Sequence, residues 1–248
     1  MPIVRILLIL LTFVSPAMAA DGLLETADAT EAAKAFQVYI DGVAKKGERP
    51  DMTRPDVAAL LGRVYDLDAM NALPPAEAKH IPWLLDWTEA ANSVYKLITR
   101  YGSKPGPQPD LEAVGRNMMA YEDQIAAAMN FMIRLQAREA VSVKLFMAEL
   151  PPDQRTRIRE EGFARARRGA AEYIMGTVCA AIVGSTRPAN ARLVAAAISD
   201  TRDIWAGYLL PQDRPNVIKY ITSLPEQIKD EKARTDLVAF SSALQAVD

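Results

Sequence analysis

The chain of 248 residues holds one histidine, His80, and one cysteine, Cys179. A lone thiol cannot close a disulfide within the chain, and one imidazole plus one thiolate is too small a set for a structural zinc cage. The di-iron sites of helical bundles need a Glu three residues before a His on two helices, which a single histidine cannot supply. No metal or other cofactor is therefore expected. A histidine-based triad would have to recruit His80, yet no Gly-x-Ser-x-Gly elbow accompanies it. Cys179 lies in the apolar stretch YIMGTVCAAIVG, which offers no base or cation to activate a thiol, so a small buried hydrophobe is its expected role.

An excess of either charge is also missing. The 29 basic and 31 acidic residues leave a net charge of −2, which gives no electrostatic reason to expect nucleic acid. Two stretches combine glycine with a cation, GERPDMTRP from Gly47 and GSKPGPQ from Gly102. Neither has the glycine spacing or the preceding strand of a phosphate-binding loop. Arginines do gather between Arg155 and Arg168, interrupted by Glu160 and Glu161. A solvated or salt-bridged helix face is the first reading of that run, and contact with an anionic surface is the alternative.

Long apolar runs are confined to the amino terminus. Arg5 precedes an apolar stretch from Ile6 to Val14, and Ala17-Met18-Ala19 places small residues where a signal peptidase requires them. The stretch is too short to span a bilayer. Residues 1–20 read as a signal peptide cleaved near Ala19 or Ala20, which directs the remainder to the periplasm or the medium with no transmembrane segment in the mature chain.

Alanine-rich helical periodicity is what the rest contains. Ala32, Ala35, Phe36, Tyr39 and Val43 share one stripe of a helix predicted over Thr30 to Lys45. The Asp28/Glu31, Thr53/Asp56 and Ser223/Glu226 pairs have capping-box spacing. Further helices are expected from Thr53 to Leu67, Trp83 to Tyr101, Leu111 to Leu150, Asp153 to Gly184 and Pro188 to Tyr208, followed by two near the carboxyl end. Ser185 or Thr186 is the expected cap of the Pro188 helix. Pro151-Pro152 forces a turn between the two longest segments. The expectation is an all-α fold, an elongated bundle of about seven helices around a long antiparallel αα-hairpin. Residues 21–248 form one all-α domain, with the proline-rich run 102–110 as loop or internal boundary.

Two sets of residues are candidates for more than packing. Trp83, Trp87 and Tyr95 lie on one helix face and either fill the core or line an apolar groove. Glu139 falls beside the stripe of Leu135, Val143 and Phe146, where an unpaired carboxylate would be costly. Arg165, placed opposite by an antiparallel turn, is its expected ion-pair partner. A non-catalytic envelope or interaction role follows, with a protein partner or a homo-oligomer. A binding module for an apolar small molecule, lipid or peptide is the second reading. A metal-independent carboxylate hydrolase, with an interior acid of raised pKa, is the third.

Overall fold

The computed structural model describes residues 26–104 and 110–247. Among them the regular secondary structure is helical, with no strand. The segment read as a signal peptide lies outside the described residues, as do residues 105–109 of the proline-rich run. No described helix is long and apolar enough to cross a membrane. In chain order the α-helices are α1 (Thr26–Lys45), α2 (Pro55–Val64), α3 (Leu67–Asn71), α4 (Ile81–Thr99), α5 (Leu111–Ala120), α6 (Glu122–Glu149), α7 (Arg157–Tyr173), α8 (Cys179–Gly184), α9 (Pro188–Asp200), α10 (Arg202–Tyr208), α11 (Arg214–Thr222) and α12 (Glu231–Gln245).

Helix α6 is the element around which the others are placed. Its residues Ala128 to Ile133 are buried without interruption, so this part is enclosed on every side, unlike a surface helix with a single apolar stripe. On one side α4 packs against it, with α1 and α2 behind; on the other α9 does, backed by α12. A single core cluster runs through all of them, from Phe36 through Leu84, Met129 and Leu135 to Ile198 and Phe240. Helix α7 meets α6 through Ala166 against Val143, and through the Tyr173 hydroxyl 4.0 Å from Met129 Sδ.

Each of the three longest predicted helices departs from a single uniform α-helix. The Leu111 segment divides at Tyr121, whose backbone (φ −119°, ψ 31°) leaves the helical region. At this point the Tyr121 hydroxyl donates to the Pro50 carbonyl at 3.2 Å. A π-turn over Ile174–Val178 separates α7 from α8. Thr201 separates α9 from α10; its hydroxyl donates back to the Ala197 carbonyl at 2.7 Å and accepts from Trp205 Nε1 at 3.0 Å, the local competition that bends helices.

The caps also differ from the sequence pattern. Asp28 lies inside α1 and pairs with Arg63 of α2. Thr53 is not a cap; Asp51 accepts from its N–H and hydroxyl at 2.9 and 2.6 Å. Ser223 donates to the Tyr220 carbonyl, and the terminal helix starts later, capped by Asp230, which accepts from Ala233 N–H at 2.9 Å.

Candidate functional site

Glu139 of α6 and Thr88 of α4 meet where those helices pack, 5% and 2% exposed. The Thr88 hydroxyl donates to Glu139 Oε1. Beside the carboxyl lies a cavity of about 20 Å³ bounded by Gln136, Ala166, Ala170, Trp205 and Tyr208, which is room for about one water. Burial pushes the Glu139 carboxyl up to about 8, partly offset by the Thr88 hydrogen bond. At neutral pH the group is therefore protonated, which avoids the much larger cost of an enclosed charge. Burial raises the Tyr208 phenol too, with Glu139 contributing in the same direction.

The predicted Glu139–Arg165 pair is not among the ion pairs of the described residues. Arg165 is exposed, while the face of α7 at the cavity is made by Ala166 and Ala170. One residue along a helix is a rotation of about 100°, enough to turn the guanidinium outward. Glu139 instead bonds Thr88 across the contact between α4 and α6.

Other charged side chains close helix ends. Glu122, the first residue of α6, accepts from Thr186 N–H and Arg187 N–H, each at 3.0 Å, from the Thr186 hydroxyl, and from Asn190 Nδ2 at 3.2 Å. It thus caps α9 from another helix and replaces the expected Ser185 or Thr186 cap. Burial works to raise its pKa, yet these hydrogen bonds outweigh it and hold the carboxyl below its ordinary value. The arginine-rich run divides by role. Arg155 donates to the Leu150 and Ala148 carbonyls at 3.0 and 2.7 Å, at the end of α6. Arg167 donates to the carbonyls of Tyr208 and Leu209 at the end of α10, where a cation also complements the helix dipole. Arg157 pairs with Glu161 at 2.7 Å on the surface.

Trp83 and Trp87 touch edge to face at 5.9 Å, and Trp87 continues to Phe131 at 5.2 Å. Trp87 Nε1 donates to the Val64 carbonyl at 2.8 Å, and Tyr95 is buried in the same core cluster. His80 stacks on Trp83 at 6.0 Å. Its Nδ1 accepts from Glu77 N–H at 3.2 Å, and burial depresses its pKa. A larger cavity, about 250 Å³, opens between α11 and α12, where Ile221, Ile228, Leu237 and Val238 face polar neighbours such as Arg234 and Gln245. Sequence reasoning does not find it, because its residues come from a short helix, a 3₁₀ turn and a terminal helix that only the tertiary fold brings together.

Chemically, Glu139 is a neutral acid able to donate a proton. Two-carboxylate hydrolysis requires a second acid several ångströms away across a substrate, and the residues beside Glu139 at this cavity are Gln, Ala, Val, Trp and Tyr, with room for about one water. Among the described residues no group of three or more His, Cys, Asp or Glu side chains is placed to hold a metal ion. Burial pushes the Cys179 thiol up to about 12, away from thiolate reactivity. No family model, curated protein or solved structure matches the chain, so the functional reading rests on this geometry.

Proposed function

We propose that the protein is an exported helical protein of the periplasm or the medium, with a non-catalytic, envelope-associated or protein-interaction role. The compartment is taken from the Arg5 to Ala19 pattern. The observation that carries the rest is the use to which charged groups are put: Glu122, Glu139, Arg155 and Arg167 each bind the backbone or side chain of another segment. In this proposal α6 and α7 form an antiparallel hairpin that is the spine of an elongated bundle. Amino-terminal sequencing of chain recovered by osmotic shock tests the export half; a start at Ala20 or Asp21 is expected, and a chain retaining Met1 in the cytosol overturns it. For the interaction half, a photo-crosslinking residue at Val238 in the α11–α12 groove is expected to give one discrete adduct in cells. The same residue at exposed Val38 on α1 serves as control; no adduct from Val238 refutes the reading.

The α11–α12 groove favours a second reading, a binding module for an apolar small molecule, lipid or peptide. Native mass spectrometry of chain purified from its own compartment separates the two. A retained apolar mass that is lost in Val238→Glu supports the second, and a bare chain supports the first.

A further inference from the structure

The two glycine-containing stretches that fail as phosphate loops in sequence meet in the fold. Gly47 follows α1 with φ of 67°, and Gly102 follows α4 with φ of 68°, the left-handed conformation that ends helices and favours glycine. Three tyrosines then hold the chain between them. Tyr101 donates its hydroxyl to the Glu48 carbonyl at 2.5 Å, and Tyr121 donates to that of Pro50 at 3.2 Å. Tyr39 donates to the Asp51 carbonyl at 3.2 Å while accepting from Asp51 N–H at 2.7 Å. The backbone on both sides of Arg49 is thereby fixed.

Arg49 and Arg116 of α5 border a cavity of about 180 Å³ whose other walls include Tyr101, Gly102, Asn117 and Tyr121. None of the described residues lining it is acidic. Asn117 donates its amide to the Thr99 and Tyr101 carbonyls at 3.1 and 2.8 Å, which ties α5 to the end of α4. Arg116 spends one nitrogen on Glu112 at 2.7 Å, and a guanidinium has further donors to offer. Arg49 forms no ion pair among the described residues.

We propose that this cavity binds a small organic anion, with its carboxylate or phosphate held by Arg49 and Arg116 and its body against the rings of Tyr101 and Tyr121. Planar guanidinium donors match such groups in geometry. The tyrosine-held backbone reduces the ordering cost of binding. The site is independent of the export and interaction readings. A free solute and a lipid headgroup both carry this chemistry, so two probes are needed. Phenyl phosphate titrated into the purified chain, followed by calorimetry or NMR, is expected to bind saturably. Arg49→Gln and Arg116→Gln, both at exposed positions, are each expected to weaken that binding about tenfold, equivalent to about 1.4 kcal/mol, while Arg157→Gln leaves it unchanged. Vesicles of phosphatidylglycerol in phosphatidylcholine form the second arm. Co-sedimentation that needs phosphatidylglycerol and is lost in both arginine variants, without phenyl phosphate binding, assigns the headgroup as the source and sustains the site. Binding in neither arm, or binding that survives both substitutions, overturns it.

Discussion

Helix α6 carries two acids with opposite fates. Glu122, at its first residue, keeps four donors around a half-buried carboxylate, and its pKa is held down. Glu139, mid-helix and enclosed, has the Thr88 hydroxyl as its hydrogen-bond donor, and its pKa is pushed up to about 8. Desolvation opposes the charge at both. What differs is how many N–H and O–H groups compensate for it: several backbone and side-chain donors stabilise an anion at the open end of α9, and one hydroxyl does not do so inside the bundle. Charge state here is set by donor count as much as by burial.

The largest expected effect breaks this contrast at its buried end. Glu139 is ordinarily half-ionised near 4.5 and in the fold near 8, so between those values the unfolded chain releases a proton that the folded chain retains. Its contribution is fully present below pH 4.5 and is lost as pH rises through 8, on the order of 5 kcal/mol. Glu139→Gln removes that titration. Urea unfolding at pH 5 and pH 8 is expected to show wild type losing several kcal/mol more than the variant over this interval. Parallel pH dependence in the two proteins would mean the carboxyl is not neutral in the fold.

At the open end, Glu122→Ala deprives the Thr186 and Arg187 amides of their acceptor. A lost helix cap costs about 1–2 kcal/mol, read as a lower urea midpoint at pH 7. The sign with pH is opposite to that of Glu139: a depressed folded pKa stabilises above 4.5, and the contribution disappears as pH falls below it. The gap between wild type and Glu122→Ala should therefore narrow at pH 3. Thr88→Val sharpens the comparison more gently. Removing the hydroxyl bonded to Glu139 is expected to cost about 1 kcal/mol and to move the carboxyl midpoint further upward, which carboxyl NMR titration of the folded chain measures.

The all-α class was legible because it depends on a local signal, the recurrence of Ala, Leu, Met and aromatic residues at helical period. The breaks were not. The backbone leaves the helix at Tyr121, whose hydroxyl meets Pro50, a residue that periodicity around Tyr121 cannot indicate. Capping failed for the same reason: the α9 amides are met by Glu122 from a helix far back in sequence, so a search for caps among the preceding residues finds the wrong ones. For Glu139, the stripe of Leu135 and Val143 beside it raised an enclosed position without deciding between that and an exposed one, because period alone places a residue near a face and not under it. Its partner depended on the relative rotation of α4, α6 and α7, which no single helix encodes.

That rotation is open to a small but discriminating measurement. If Arg165 opposed Glu139, Arg165→Glu would place a second carboxylate against an enclosed acid and cost several kcal/mol. In the structure Arg165 is exposed and Ala166 occupies the position facing the cavity. Charge reversal there is expected to change stability by less than about 0.5 kcal/mol, as at ordinary surface positions. Ala166→Glu, one residue on, puts the same charge at the cavity wall and is expected to be severely destabilising. Two adjacent substitutions of identical charge thus read out which face of α7 is turned toward α6, and similar losses from both would show that the helix is rotated from the position described.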